Sequence, residues 1–248
     1  MQSKKADTSS ASTPSSLFTL HQCECSNEKC CNNVRFATTK GGFMAIENKL
    51  GIKNSAQFAL EEERLSKLRA LELFDKNMIG TFEIGTFEGL SKIHQYLFAG
   101  LYDFAGTIRT VNIARGSFRF VPVLYLPDAL NNIDKMPHSS FDEIVEKYVE
   151  MNIAHPFREG NGRSMRLWLD CMFKDSVGKV INWKRIDKVE YLMAMERSPV
   201  KDLELKHLLK SAFTDRIYDR EVYVKGIEQS YYYENLDSIK MDDLDCNK

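Results

Sequence analysis

His155-Pro156-Phe157-Arg158-Glu159-Gly160-Asn161-Gly162-Arg163-Ser164-Met165-Arg166 is the stretch from which the rest of the chain can be read. It sets an imidazole, a carboxylate, a Gly-Asn-Gly turn and two arginines within one loop and the start of a helix. Upstream, Phe141, Ile144, Val145, Tyr148, Val149 and Asn152 recur at helical spacing, and Ser140 with Glu143 makes a capping box. Pro156 disfavours the α region at His155, so that helix is predicted to end there with the imidazole at the loop mouth. A second helix is predicted from about Arg163, with Met165, Trp168, Leu169, Met172 and Phe173 as its buried stripe.

Arg163 and Arg166 are three apart and share a face in the first turn of this second helix. A helix N-terminus already carries about half a positive charge, so two cations there are a poor local choice unless an anion lies between them. The Gly160-Asn161-Gly162 turn offers backbone N–H groups to which a phosphate can come close. Glu159, a lone carboxylate beside that positive site, suits Mg²⁺, which takes one or two carboxylates together with phosphate oxygens and waters. His155, with an ordinary imidazole pKa of about 6.5, suits a general base that activates a hydroxyl. Each element alone has an ordinary structural meaning: a helix end, a turn, a solvated basic face. Eight specified positions in order, each matched by chance about one time in twenty, are not an accident. The chemistry that needs all of them is transfer from a nucleotide.

On these residues the chain resembles the Fic family, whose signature is His-x-Phe-x-Asp/Glu-Gly-Asn-Gly-Arg-x-x-Arg. His155, Phe157, Glu159, Gly160, Asn161, Gly162, Arg163 and Arg166 match every specified position. The resemblance implies transfer of AMP from ATP to a Tyr, Thr or Ser hydroxyl of a target protein, with release of pyrophosphate. It also implies that His155 is the base, that Glu159 holds Mg²⁺ and that Asn161 contacts the α-phosphate. Arg163 and Arg166 would hold the β- and γ-phosphates. Some relatives transfer phosphate or phosphocholine, but the intact Gly-Asn-Gly-Arg favours AMP. Removal of AMP by an activated water, a different nucleotide donor and a non-catalytic nucleotide sensor stand as alternatives.

The segment Tyr102-Asp103-Phe104-Ala105-Gly106-Thr107-Ile108-Arg109 is similar to the one that precedes the family's β-hairpin flap. Val111 and Ile113, then Phe118 and Phe120, alternate around Arg115-Gly116-Ser117, a hairpin on sequence grounds alone. The resemblance implies that Arg115, Gly116, Ser117 and Phe118 pair with an extended target segment, a form of β-augmentation. A structural hairpin covering the core would use the same residues. By resemblance only, a topoisomerase subunit is a first candidate target.

Near the C-terminus, Ser230-Tyr231-Tyr232-Tyr233-Glu234-Asn235 matches the Ser/Thr-x-x-x-Glu-Gly/Asn inhibitory motif of autoinhibited Fic proteins. Ser230 and Glu234 would share one helical face, and Glu234 paired with Arg166 would occupy the guanidinium meant for the γ-phosphate. Tyr231, Tyr232 and Tyr233 carry hydroxyls of the type the family modifies, so self-modification there is an expectation.

The 248 residues are 43% hydrophobic, enough for one substantial core, and the net charge of −1 makes no electrostatic case for binding nucleic acid or an anionic membrane. No apolar run approaches a membrane span and the first 16 residues lack a secretory signal, so a cytoplasmic protein is expected, with export by another route left open. Four of six cysteines fall between Cys23 and Cys31 at spacings unlike the common zinc sites. Thr86 is predicted to cap a helix that buries Leu90, Ile93, Leu97 and Phe98. The fold expected is an all-α bundle with one β-hairpin, the family's fold carrying a C-terminal inhibitory helix. Its parts would be a disordered extension (1–42), a helical arm (43–76), the catalytic core (77–225), the inhibitory helix (226–240) and an acidic tail (241–248). A homo-oligomer that buries the last helix would fit autoinhibition, though no residue pattern demands one.

Overall fold

Helix α5 (Asn161–Val177) is the element on which the others are packed. From Asn161 to Phe173 every residue except Gly162 and Asp170 is buried, so the helix is enclosed on nearly all sides rather than along one stripe. The computed structural model describes residues 45–116 and 118–244. Helices α2 (Phe87–Phe98), α4 (Phe141–Ala154) and α8 (Arg220–Tyr232) surround α5. Outside them, α1 (Ser55–Asp75) packs on α2 and α8, and α3 (Leu126–Asp134) on α4. Helices α6 (Lys188–Arg197) and α7 (Leu203–Ser211) pack on each other. Two antiparallel two-stranded ribbons complete it: β1 (Ala114–Arg115) with β2 (Phe118–Arg119), and β3 (Val180–Ile181) with β4 (Phe213–Thr214). The fold is mostly helical with a hairpin, as expected, and the β3–β4 ribbon is an addition. Among the described residues no helix is long and apolar enough to cross a membrane.

The caps explain where the helices stop. Thr86 accepts from the Gly89 N–H (3.1 Å), and Leu90, Ile93, Leu97 and Phe98 are all buried. The Ser140–Glu143 capping box is present in full. Helix α4 ends at Ala154, but His155 is not extended as the following proline suggested; it is left-handed (φ 49°, ψ 64°), with its N–H still bonded to Met151 O at 2.9 Å. Helix α5 starts at Asn161, two residues before the expected Arg163, because Gly160 (φ 75°) turns the chain there. A side chain at that glycine would be strained by its φ, and its Cβ would lie 2.5 Å from the Phe98 ring.

The C-terminal helix differs most from expectation, running over Arg220–Tyr232 instead of 226–240. Asp219 caps it at the Val222 N–H (3.1 Å). A Schellman motif closes it: the Asn235 N–H bonds Tyr232 O and the Leu236 N–H bonds Tyr231 O, both at 3.0 Å, with Asn235 left-handed at φ 61°. The chain beyond is no free acidic tail as far as Leu244, since Met241 and Leu244 are buried. Residues 1–44, including the Cys23–Cys31 cluster, and 245–248 lie outside the described residues.

A buried ion pair ties this last segment to α1. Lys67 Nζ lies 2.7 Å from Glu63 and donates to Ile239 O at 2.6 Å, while Glu63 accepts from the Ser238 and Ile239 N–H groups at 3.2 and 2.9 Å. Removing one partner strands a buried charge, so Glu63→Ala is expected to cost about 3–5 kcal/mol. Replacing both by apolar residues (Glu63→Leu with Lys67→Met) should cost less than the sum of the single changes, by about 1–3 kcal/mol in urea unfolding. Strictly additive losses would contradict this reading of the pair.

Candidate active site

The loop between α4 and α5 is built by side chains bonding its backbone. Asn161 brackets Phe157: its Oδ1 accepts from the Phe157 N–H at 2.8 Å and its Nδ2 donates to Phe157 O at 2.7 Å. The amide thereby keeps one N–H uncommitted. His94, buried on α2, accepts the Gly106 N–H at Nδ1 (2.9 Å) and so must donate from Nε2 to Glu159 O (2.8 Å). Its ring stacks on Phe157 at 3.8 Å, and burial pushes its pKa down to about 4. A neutral imidazole is what these two bonds require.

Arg109 joins the loop to the hairpin. Its buried guanidinium donates from Nε to His155 O (2.8 Å), from Nη1 to Val111 O (2.8 Å), and from Nη2 to Ala154 O (3.1 Å) and to Val121 O. Its own N–H bonds Pro156 O at 2.8 Å. Three consecutive carbonyls at the end of α4 are thus satisfied by one residue, with a cation placed where the helix dipole favours it. This is what holds His155 in its left-handed turn.

The imidazole of His155 stacks on Phe120 at 3.8 Å with the rings 20° apart. Nδ1 lies 3.3 Å from Asn152 O, and a carbonyl only accepts, so Nδ1 carries the proton and Nε2 keeps its lone pair. Burial, followed by the charge of Arg109, pushes this imidazole from the usual 6.5 down to about 3. The group is therefore an unprotonated base through the neutral range.

At the N-terminus of α5 the anion between the two arginines is the carboxylate of Glu234. Arg166 Nη2 donates to Glu234 Oε1 at 2.6 Å, and Arg163 Nε lies 3.0 Å from Oε2. Arg166 also donates from Nε to Ser230 Oγ (2.7 Å) and from Nη2 to Ser230 O (2.8 Å). Ser230 and Glu234 thus reach the same guanidinium, although Glu234 stands beyond the last helical residue, in the closing turn. The left-handed Asn235 ends the helix just after Glu234, and Lys188 holds that end by donating to Tyr232 O (2.6 Å) and Asn235 Oδ1 (2.7 Å). Burial alone would raise the Glu234 pKa, but Arg163 and then Arg166 outweigh it and hold the carboxyl below its usual value. The pairing is complete above the ordinary carboxylate range and is lost only as pH falls through the lowered value. Gly162 faces this carboxylate so closely that a Cβ there would collide with Glu234 Oε1 and Arg166 Nη1.

Glu159 accepts from the Gly160 N–H at 3.0 Å and lies 3.3 Å from Arg163 Nη2. Burial and then the neighbouring Glu62 raise its pKa. Glu62, from α1, pairs with the same Arg163 Nη2 at 2.8 Å. Among the described residues no group of three or more His, Cys, Asp or Glu is arranged to hold a metal ion. A single partly exposed carboxylate does fit Mg²⁺ that arrives with phosphate oxygens supplying further ligands.

The hairpin is shorter than its alternation suggested, with Ala114 opposite Arg119 and Arg115 opposite Phe118. Arg115 and Gly116 are exposed at its tip and Phe118 is half-buried; Ser117 lies outside the described residues. The tyrosine run divides. Tyr231 and Tyr233 are buried, and the Tyr233 hydroxyl donates to Ile186 O at 3.0 Å, so neither is available for self-modification in this conformation. Tyr232 alone of the run is exposed. His94, Lys188 and Glu62 were missed by sequence reasoning, and Arg109 and Phe120 were quoted there without a site role. None has a signal in spacing, because each acts across a long separation.

Comparisons with known proteins place similarity over the same elements. The sequence profile of the Fic/DOC family matches residues 86–173, from the α2 cap through most of α5. The chain is 29% identical over 195 residues to "Protein adenylyltransferase VbhT" of Bartonella schoenbuchensis, covering 73% of this chain but only 40% of that protein. It is 25% identical to "Probable protein adenylyltransferase Fic" of Salmonella typhimurium over 70% of this chain and 90% of the relative. In fold it is similar to the crystal structure of BepC from Bartonella tribocorum with bound AMPPNP, with TM-score 0.56 and 18% identity over 74% of this chain and 96% of that one. Over residues 86–173, the helices and loop that make up this site, the chain is similar to the Fic/DOC family.

Proposed function

We propose that the chain is a protein adenylyltransferase that uses Mg²⁺ and ATP and is held off by its own Glu234. The observation that carries this reading is the Glu234 carboxylate lying between Arg163 and Arg166 at the N-terminus of α5. An anion site assembled from two guanidiniums and a helix end, and filled by the chain's own carboxylate, has the form of a phosphate site under competition. The names of the relatives, protein adenylyltransferases, support AMP as the group transferred.

In the reaction so read, His155 Nε2 takes the proton of a target Tyr, Thr or Ser hydroxyl. The oxygen attacks the α-phosphorus, the bond to the bridging oxygen of the β-phosphate breaks, and pyrophosphate leaves on Arg163 and Arg166. Asn161 would meet the α-phosphate with its remaining amide N–H. Glu159 would hold Mg²⁺, whose charge offsets that of the phosphates. The backbone of the β1–β2 hairpin would align an extended target segment over His155. With Glu234 in place, the γ-phosphate cannot reach Arg166, and ATP is bound in an unproductive pose. A topoisomerase subunit is the first target to test, and Tyr232 the hydroxyl for self-modification.

Switches of this kind couple by about 1–3 kcal/mol, so Glu234→Gly should raise AMP transfer about 5–150-fold. Labelling with α-³²P-ATP and Mg²⁺ checks this; label should vanish again when His155→Ala is added. Equal label in wild type and Glu234→Gly would remove the brake from the account. The pH profile of kcat/KM in the Glu234→Gly background is a separate test. The base must be neutral, and its pKa is pushed down to about 3. The rate should therefore hold from about pH 8 to about pH 5, failing only as pH drops through the lowered value. An acid limb centred near the unperturbed value of 6.5 would contradict the enclosed imidazole.

A further inference from the structure

Arg163 is held differently from Arg166. Its guanidinium lies over the rings of Phe98, 4.8 Å away, and Tyr231, 5.3 Å away. Nη2 is paired twice, with Glu62 at 2.8 Å and with Glu159 at 3.3 Å. Nε and Nη1 are buried and make no hydrogen bond; Glu234 lies 3.0 Å from Nε as an ion partner, out of line for a hydrogen bond. Buried donors left unpaired on a charged group are costly and rare, and a functional role is one of the reasons they are kept.

The three carboxylates around this guanidinium are not equivalent. Glu234 belongs to the segment that must move for γ-phosphate to enter. Glu159 is partly exposed and is the proposed ligand of Mg²⁺. Glu62 is neither: its side chain is buried, it projects from α1, and it lies 101 residues from Arg163, before the matched residues 86–173. It is the partner that remains when Glu234 leaves.

We infer that Glu62 is a positioning residue for the phosphate site: by holding Nη2 it fixes the guanidinium fork so that the unpaired Nε and Nη1 face the β-phosphate. Without that hold the fork is free to turn toward Glu159, taking both the donors and the metal carboxylate out of place. Glu62 touches no substrate and acts through Arg163. The inference rests on the nucleotide reading of the site.

Two conservative variants separate position from charge. Glu62→Gln keeps a carbonyl oxygen at the same reach and loses the charge; Glu62→Asp keeps the charge and withdraws it by one methylene. Both are made in the Glu234→Gly background and titrated calorimetrically with ATP and with AMP, which lacks the β-phosphate. Glu62→Asp should weaken ATP about tenfold and leave AMP unchanged, with Glu62→Gln close to the parent for both nucleotides. ATP affinity equal in all three proteins, or AMP falling together with ATP, would overturn the positioning role while leaving the nucleotide reading intact. A Glu234→Gly parent that binds no ATP would instead remove the reading on which the inference rests.

Discussion

Positive charge is concentrated at the N-terminus of α5 by the helix dipole and by the guanidiniums of Arg163 and Arg166, and the chain balances it with Glu234. Such a cluster cannot be buried uncompensated, because each isolated charge taken from water costs several kcal/mol. The two arginines are among the most buried charged side chains of the described residues, at 2% and 5% exposure, and Arg166 has Glu234 as its carboxylate partner while Arg163 also pairs with Glu62 and Glu159. In the proposed function, that balance is what would make the site a switch. A triphosphate that displaced the carboxylate would bring its own negative charge. Arginine suits the exchange, since its planar fork accepts carboxylate and phosphate with nearly the same geometry.

The rest of the site is fixed by bonds that do not involve Glu234. The loop backbone is fixed by Asn161 at Phe157, by His94 at Glu159 and by Arg109 at three successive carbonyls, none of which depends on Glu234. His155 is held in one tautomer, stacked on Phe120, with its lone pair free. The segment that carries Glu234 has its own anchors: Lys188 at the end of α8, the buried Glu63–Lys67 pair beyond it, and Tyr233 in the core. In the proposed competition, a carboxylate tethered in this way would act at an effective concentration of about a millimolar or above. Loosening the tether would therefore weaken the competition without touching the phosphate site.

Much of this was legible in sequence where the physics is local. The capping box at Ser140, the Thr86 cap, the glycines of the loop and the Ser230–Glu234 spacing follow from short-range rules, and each names its residue. The left-handed His155 was not legible, because Pro156 argues against α and says nothing of Arg109, whose bonds to the carbonyls on either side of it decide the conformation. The bounds of α8 were misjudged for a similar reason. Asn235 was read as part of a motif, when its left-handed backbone is what ends the helix. Glu62 was beyond reach, since a glutamate on a charged helix is ordinary until the fold brings it to an arginine 101 residues away. The tyrosine run shows the same limit in reverse: three like residues side by side are divided by burial, two inside and one out.

The central claim is that Glu234 and the distal phosphates compete for one place. Titrating pyrophosphate and AMP against the wild type and Glu234→Gln by calorimetry tests it most directly, because AMP carries no group for that place. The expected result is that Glu234→Gln binds pyrophosphate more tightly than the wild type, by about tenfold, and AMP equally. Pyrophosphate affinity that is the same in both proteins would contradict the competition and leave Glu234 as a structural partner of the two arginines alone.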